Sequence, residues 1–299
     1  MVCGPFWGVE LVSLSRPCPF TNTHLPYEII QSGRHHVKIG ITQIILGDRS
    51  LDDTLDLCQR AGYETVELTF GVSKDLHVDM SDDELAGVAQ RCATAGVEVA
   101  SVIAHYAERG NLMSRDAGGR DQATQGLRRA VAIAGTLGVD GVLLHPGQLT
   151  VEGTYQQAWD DLRDVLKELA PEAEAKGVRI GVENVWNKFI LSPKEAVDFV
   201  DEIGSNWVGI YLDTANMMAY GFPEHWIRAL GSRITKVHFK DFSRSERSFV
   251  NLLDGDTDWP VVMAELRTAG YDGSVIHEVG GDDDAQIEIA ERMRRIVAM

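Results

Sequence analysis

The chain has 299 residues, of which 44% are hydrophobic and 24% are charged, and this composition excludes disordered and fibrous proteins. Its formal net charge of -17 disfavours binding to nucleic acids and to anionic membrane surfaces. The four cysteines form no CxxC pair and no run is apolar enough to span a membrane, so we expect a cytoplasmic protein without a disulfide framework.

Residues 1–36 show no clear periodicity, and we predict a weakly ordered N-terminal extension there or an artefact of an upstream start site. From Val37 onward, short runs rich in valine and isoleucine alternate with longer helical patterns, which is typical of parallel βαβ units. Eight runs are predicted to be strands: VKIGITQII, TVELTF, VEVASVIA, VDGVLLH, VRIGVEN, WVGIYLD, ITKVHFK and GSVIHEV. The sequence therefore predicts one catalytic domain over residues 37–299, folded as a (β/α)8 TIM barrel.

Helix boundaries are also marked in the sequence. Ser50, Ser81, Ser192 and Asp258 precede helical patterns and are expected to be N-caps, because their side chains accept hydrogen bonds from free backbone N–H groups. Glycine stands shortly before most of the strands, where it can end a helix in the left-handed conformation. A doubly wound open sheet, the alternative fold, would need a glycine-rich phosphate-binding turn after the first strand, and no GxGxxG occurs there.

Four side chains that can bind metal end four successive predicted strands. Glu183, Asp213, His238 and Glu278 end strands five to eight, with spacings of 30, 25 and 40 residues. Because the strands of a closed parallel barrel all end at one mouth, we expect the four side chains to meet there. One imidazole and three carboxylates suit a divalent cation such as Mn²⁺, Mg²⁺ or Co²⁺. His277 precedes Glu278 and should therefore point to the opposite side of its strand, toward the helices.

Further polar and aromatic side chains are predicted to lie near the same mouth. Strands two, three and four are expected to end in Glu67, His105 and His145. These three could orient substrate hydroxyls or support a metal ligand, or they could be bound by neighbouring loop backbone. Lys188, Arg244 and Arg247 are candidates for a phosphate site, with solvated loop cations as the alternative. Trp186 is a candidate for the pocket wall, where apolar sugar faces can stack.

The segments GVENVWNKF, GIYLDTANMMAYGFPEHW, ITKVHFKDF, DGDTDW and YDGSVIHEV resemble the sugar phosphate isomerase/epimerase family, which has a xylose isomerase-like TIM barrel. The resemblance extends over essentially all of residues 37–299. It includes the ketose 3-epimerases, such as D-tagatose and D-psicose 3-epimerase, and implies the following roles. Mn²⁺ or a similar ion would be bound by Glu183, Asp213, His238 and Glu278, with the two glutamates also acting as acid and base. Arg244, six residues after the histidine, would bind substrate, and a homodimer or homotetramer is expected.

Epimerisation beside a carbonyl explains why such a site has two glutamates. A metal that holds the carbonyl and adjacent hydroxyl oxygens acidifies the C–H bond between them and stabilises an enediolate. The proton leaves one face and returns on the other, so two bases are needed, and Glu183 and Glu278 suit these roles. Two departures concern the substrate. Asn216 stands where the epimerases have a histidine, although it can still hydrogen-bond a hydroxyl, and Ile190 stands where they have a glutamate.

The sequence thus predicts a metal-dependent epimerase or isomerase of a small sugar or sugar phosphate, most similar to the ketose 3-epimerases. Hydroxypyruvate isomerase and inosose dehydratase are alternatives, because their chemistry also begins with proton removal beside a carbonyl. A phosphodiesterase of the apurinic endonuclease type is a more remote alternative, which the charge of -17 disfavours. A non-catalytic sugar-binding or metal-binding protein is disfavoured because all four ligand positions are competent to bind metal.

Overall fold

A computed structural model describes residues 36–70, 75–104 and 111–299. The predicted N-terminal extension, apart from its last residue, and His105 lie outside the described residues.

Eight parallel strands form a closed barrel, and helices alternate with them along the chain. The strands of the barrel are β1 (Ile39–Thr42), β2 (Thr65–Phe70), β3 (Glu98–Ala104), β4 (Gly141–Leu144), β5 (Arg179–Glu183), β6 (Val208–Asp213), β7 (Ile234–Phe239) and β10 (Val275–His277). The helices are α1 (Leu51–Ala61), α2 (Asp82–Ala95), α3 (Ala117–Leu137), α4 (Tyr155–Lys176), α5 (Pro193–Ile203), α6 (Pro223–Leu230), α7 (Trp259–Thr268) and α8 (Asp283–Val297). Strand β10 pairs with both β1 and β7 and so closes the ring. The predicted (β/α)8 barrel is confirmed.

The first predicted strand is longer than the observed one. The run VKIGITQII forms a strand only over Ile39–Thr42 and continues as a 3₁₀ helix over Gln43–Leu46. The hydroxyl of Thr42 accepts a hydrogen bond from the backbone N–H of Ile44 at 3.4 Å, which caps the 3₁₀ turn. The apolar pattern therefore continues past the end of the strand because the turn also packs on the barrel.

A short hairpin that the sequence analysis did not predict lies between β7 and α7. Its strands are β8 (Asp241–Ser243) and β9 (Ser248–Val250), which pair in antiparallel fashion. The buried carboxylate of Asp241 organises the returning segment by accepting hydrogen bonds from Leu253 N, Gly255 N, Thr257 N and Trp259 Nε1 at 3.0–3.3 Å. This network of hydrogen bonds to one carboxylate, which leaves no periodic pattern in the sequence, holds residues 253–259 against β8.

The helix boundaries follow the predicted caps. Ser50, Ser81, Ser192 and Asp258 each accept a hydrogen bond from the backbone N–H three residues further on. Gly62 ends α1 with φ of 74°, a left-handed conformation that glycine adopts without strain. The described helices bury one face against the barrel, and none of them is long and apolar enough to cross a membrane.

The interior of the barrel is packed by a small cluster made up of Ala100, Ile103, Leu143, Tyr211 and Ile276. Side chains alternate between the two faces of a strand, so the position two residues beyond an inward side chain also faces inward. Asp213 follows Tyr211 at this spacing, and Glu278 follows Ile276. The apolar layer inside the barrel therefore lies directly beneath the two carboxylates.

A close approach between β6 and β7 accompanies the pairing of Asp213 with His238. The register of the two strands shifts between Ile210 and Tyr211, and beyond the shift Asp213 lies opposite His238. A Cβ atom added to Gly209 would lie 2.3 Å from the backbone carbonyl oxygen of Arg233. Only glycine fits here without moving one strand away from the other.

We expect Gly209→Ala to lower the free energy of unfolding by about 1–3 kcal/mol, because the added methyl group overpacks against backbone. Gly87→Ala in α2 is the matched control, since no atom lies within 4 Å of its added Cβ. The control should raise stability by about 0.5–1 kcal/mol through helix propensity. Urea denaturation followed by circular dichroism measures both, and equal effects of the two substitutions would contradict the steric argument.

Candidate active site

The four candidate metal ligands meet at the C-terminal mouth of the barrel. Glu183 and Asp213 are the last residues of β5 and β6, His238 lies in β7, and Glu278 follows β10 directly. One ligand atom from each of the four lies within 4.8 Å of the other three. Strands that are distant in the sequence therefore place three carboxylates and one imidazole around a single point.

Two buried atoms in this cluster make no hydrogen bond. Asp213 Oδ1 accepts hydrogen bonds from the backbone N–H groups of Ala215 at 2.8 Å and Asn216 at 2.7 Å, whereas its Oδ2 has none. His238 Nδ1 also has none, and it lies 3.9 Å from Glu183 Oε1 and 3.6 Å from Glu278 Oε2. Buried polar atoms without a partner are rare and costly. Their convergence with two further carboxylates fits a divalent cation, whose ligands would be these atoms.

Glu67 lies below the cluster and orients His238. It is fully buried in the middle of β2 rather than at the end of the strand, where the sequence analysis placed it. Its Oε1 lies 2.8 Å from His238 Nε2, and its Oε2 accepts hydrogen bonds from the hydroxyls of Ser101 and Tyr211. This arrangement turns His238 Nδ1 toward the mouth, as in the carboxylate–histidine pairs of metal sites. The contacts support the role of Glu67 as the partner of a ligand.

Charges within the cluster shift the pKa values of the two glutamates in opposite directions. Burial, together with the neighbouring Glu278 carboxylate, raises the pKa of Glu183 to about 8. Burial would also raise the pKa of Glu278, but the imidazole of His238 and the ammonium of Lys240 outweigh it and lower the pKa to about 2. Two carboxyl groups with separated pKa values are typical of an acid and a base that act as a pair.

Lys240 is a member of this cluster that the sequence analysis did not select. Its Nζ lies 3.2 Å from Glu278 Oε2 and 3.6 Å from Asp213 Oδ2, and it donates a hydrogen bond to Asn216 Oδ1 at 3.3 Å. The ammonium also lies 4.4 Å from the ring centroid of Phe249. A signal was present in the sequence, because Lys240 is two residues after His238 and such positions face the same side.

The cluster opens into a cavity of about 230 Å³. Its polar lining consists of Asn216, His145, Lys240, Glu183, His238 and Glu278. Its apolar lining includes Ile44, Ile103, Leu143, Trp186 and Phe249. The rings of Trp186 and Phe249 lie 4.9 Å apart and are partly exposed, so they form a wall at the rim. Such a cavity suits a small molecule that has both hydroxyl groups and an apolar face.

Three candidate substrate-binding residues line the cavity, and three other described candidates, Glu67, Lys188 and Arg244, do not. Asn216, His145 and Trp186 are part of the lining. Lys188 is exposed and lies outside it. The guanidinium of Arg244 donates hydrogen bonds to the carbonyl oxygens of Met218 at 2.7 Å and Gly221 at 2.8 Å, so it is engaged with backbone and also lies outside the lining.

The prediction that His277 points away from the mouth is confirmed. Its Nε2 lies 2.8 Å from the hydroxyl of Tyr63, which donates its own hydrogen to the carbonyl oxygen of Gln286. His277 therefore donates through Nε2, and its Nδ1 accepts from the backbone N–H of Val279 at 3.3 Å. Both ring nitrogens are satisfied in the neutral form, and burial lowers the pKa of His277 to about 3.

Comparison with protein families gives one match over most of the chain. A family model described as xylose isomerase-like TIM barrel matches residues 55–297. L-ribulose 3-epimerase of Mesorhizobium japonicum is 26% identical over 246 residues, which cover 78% of this chain and 78% of the relative. L-ribulose-5-phosphate 3-epimerase UlaE of Salmonella paratyphi C is 25% identical over 234 residues, which cover 76% of this chain and 81% of the relative.

Solved structures share the architecture. A D-tagatose 3-epimerase-like protein is similar with a TM-score of 0.75 and 21% identity, covering 88% of this chain and 97% of that chain. A crystal structure of IOLI protein with a bound zinc atom has a TM-score of 0.72 and 21% identity, covering 88% and 98% of the two chains. At 21% identity, the similarity to these structures shows that the fold is shared.

We expect Glu67→Gln to weaken Mn²⁺ binding by about 10-fold to 100-fold, because the anion that orients His238 and strengthens it as a ligand is lost. Calorimetric titration of the metal-free protein with Mn²⁺ measures the affinity. Glu98→Gln is the matched control, since Glu98 is exposed at the first residue of β3 and pairs with Lys38. An unchanged affinity in a folded Glu67→Gln variant would show that His238 does not depend on this carboxylate.

Because His277 is buried in its neutral form, we expect it to cause a loss of stability in acid. Its pKa is lowered on folding from about 6.5 to about 3. The contribution of neutral His277 to the free energy of unfolding is therefore complete above pH 6.5 and is lost as the pH falls toward 3. Between pH 6 and 4, His277→Gln should therefore lose about 1.4 kcal/mol less stability per pH unit than the wild type. Denaturation curves at several pH values measure this slope. The exposed His225→Gln variant should keep the wild-type slope, and a wild-type slope in His277→Gln would refute the assignment.

Proposed function

Since the chain belongs to the xylose isomerase-like TIM-barrel family, we propose that it is a divalent-metal-dependent 3-epimerase of a ketose or ketose phosphate. The observation that carries the proposal is the placement of Glu183 and Glu278 around one cavity, on strands that are three positions apart in the ring of eight. The relatives named as L-ribulose and L-ribulose-5-phosphate 3-epimerases support a ketose as the substrate class.

Glu183, Asp213, His238 and Glu278 would hold the metal ion. The unpaired Asp213 Oδ2 and His238 Nδ1 support this assignment, and a donor set rich in oxygen favours Mn²⁺, with Mg²⁺ or Co²⁺ as alternatives. The zinc atom in the similar IOLI structure supports a divalent ion in this fold. When bound, the ion would polarise the carbonyl and adjacent hydroxyl oxygens of the substrate and acidify the C–H bond between them.

The two glutamates would move the proton. One removes the proton at C3, so that the electrons of the C–H bond form the C2–C3 double bond and the carbonyl oxygen takes up the charge. The other, in its protonated form, then delivers a proton to the opposite face of C3 and inverts the centre. In the reverse reaction Glu183 and Glu278 exchange these roles, which is why each must be able to act as acid and as base.

Neighbouring side chains would orient the substrate. Asn216 and His145 lie at the polar side of the cavity, where they can hydrogen-bond hydroxyl groups. Trp186 and Phe249 offer aromatic faces to the apolar side of the sugar. These contacts act away from C3 and hold it between the two glutamates.

In D₂O, Mn²⁺-loaded protein should convert its ketose substrate into the C3 epimer, with one deuterium at C3 of the product. Because two different bases are used, substrate recovered early should carry little deuterium. The panel consists of L-ribulose, L-ribulose 5-phosphate, D-tagatose, D-psicose and D-fructose, and NMR measures label and configuration together. Glu183→Gln and Glu278→Gln should each lower the rate by about 100-fold to 10,000-fold.

Glu174→Gln serves as the matched control, since Glu174 is exposed on α4 and is not among the residues that line the cavity. Metal content is measured for each variant so that loss of the ion and loss of the base are separated. An aldose product would indicate isomerisation, and a product lighter by one water would indicate a dehydratase. No exchange on any sugar, despite stoichiometric Mn²⁺, would refute the epimerase proposal.

A further inference from the structure

Lys240 is the one lysine or arginine among the described residues that line the cavity. We propose, on the basis of the proposed function, that Lys240 is a catalytic residue whose ammonium donates a hydrogen bond to the substrate oxygen that gains negative charge at C3 deprotonation. This role would add a protein cation to the metal site and would identify a residue that the resemblance to the ketose epimerases does not assign.

The surroundings of Lys240 leave it donor capacity toward the cavity. An ammonium has three N–H donors, and the contacts of Nζ with Glu278 at 3.2 Å and Asn216 at 3.3 Å use two of them. Only 14% of the side chain is exposed, so bulk water competes weakly for the third. If Glu278 turns to the metal or to the C3 proton, a second donor of Lys240 becomes free at the same place.

The position of Arg244 strengthens this assignment. The resemblance implied that Arg244 is the cation that binds substrate, but its guanidinium is bound to the carbonyl oxygens of Met218 and Gly221 and stacks over Phe222 at 4.5 Å. Lys240 instead reaches into the cavity beside the reacting glutamates. Among the described residues it is therefore the cation that can contact a substrate at the metal site.

The burial of Lys240 favours an electrostatic role. Phe249 covers one side of the ammonium, with its ring centroid 4.4 Å from Nζ. A fixed positive charge next to an aromatic wall interacts more strongly with a developing anion than it would in water. When a glutamate takes the C3 proton, the C–H electron pair becomes the C2–C3 double bond and the carbonyl π electrons move to oxygen. Lys240 stabilises that oxygen and keeps its own proton throughout.

The position of Lys240 also has a consequence for metal binding that does not require substrate. Its ammonium lies 3.2 Å from Glu278 Oε2 and 3.6 Å from Asp213 Oδ2, two of the carboxylates that would bind the ion. A positive charge at this place repels a divalent cation and competes for its ligands. Removing the charge should therefore leave the affinity for Mn²⁺ equal or raise it, whereas loss of a structural support would lower it.

The test compares the wild type with Lys240→Met, which keeps most of the side-chain volume, and with Lys194→Met, an exposed control on α5. For the best ketose of the panel, Lys240→Met should lower kcat for C3 exchange by about 100-fold to 1,000-fold with a smaller effect on KM. Its Mn²⁺ affinity, measured by calorimetry, should equal or exceed that of the wild type. Lys194→Met should match the wild type in all three quantities.

Other outcomes separate the two proposals. If the wild type and Lys240→Met exchange deuterium at C3 at equal rates, the role of Lys240 is overturned and the epimerase function is retained. A joint fall of kcat and of Mn²⁺ affinity would show that Lys240 acts by holding Glu278 and would also overturn it. Absence of exchange by the metal-loaded wild type would remove the proposed function, and the catalytic role of Lys240 with it.

Chemical rescue provides a second measurement for the case in which the methionine variant folds poorly. Lys240→Cys should be nearly inactive, and treatment with 2-bromoethylamine should restore an ammonium at the same distance from the backbone. Wild-type protein treated in the same way controls for alkylation of the four native cysteines, of which Cys58 and Cys92 are buried. Recovery of at least 10-fold in kcat is expected, and no recovery in a fully alkylated, folded sample would contradict the proposal.

Discussion

Repulsion between carboxylates at the barrel mouth is the constraint on which the rest of the site depends. Glu183, Asp213 and Glu278 converge with His238 within 4.8 Å, in a place from which water is largely excluded. Like charges this close in a medium of low polarity cost free energy unless a cation lies among them. The protein supplies Lys240 beside Asp213 and Glu278 and the imidazole of His238 beside Glu183 and Glu278, and it leaves two buried atoms without a hydrogen bond. A divalent ion would complete this balance.

The barrel holds these charged side chains close together because moving them apart would break hydrogen bonds. Asp213 is held by two backbone N–H groups, and the side chain of Asn184 exchanges hydrogen bonds with the backbone of Asp213 at 2.8 Å and 3.0 Å. Glu67 is held from below by Ser101 and Tyr211. These contacts come from β3, β6 and the loops after β5 and β6, so Asp213 and Glu67 cannot move without disturbing the closed sheet. The stability of the closed sheet thus offsets the repulsion at its mouth.

The parts of this structure that the sequence could predict are those that depend on periodicity. Eight apolar runs, cap residues such as Ser81 and the placement of Glu183 and Asp213 at strand ends follow from local rules, because closure of the barrel brings all strand ends together. The β8–β9 hairpin did not follow, because its strands have only 3 residues each and Asp241 anchors the segment after it through contacts that have no period. The orientation of Arg244 toward two carbonyl oxygens likewise depends on the local course of the chain. Its position six residues after His238 does not specify that course.

The charges of the site connect the proposed role of Lys240 with the need for two glutamates. With a bound divalent ion and a neutral His238, the four negative charges of Glu67, Glu183, Asp213 and Glu278 would be opposed by the two charges of the ion and the one charge of Lys240. One negative charge then remains, and a single proton shared between Glu183 and Glu278 neutralises it. Sharing that proton would leave one protonated glutamate and one ionised glutamate, which is the combination that the proposed inversion at C3 requires.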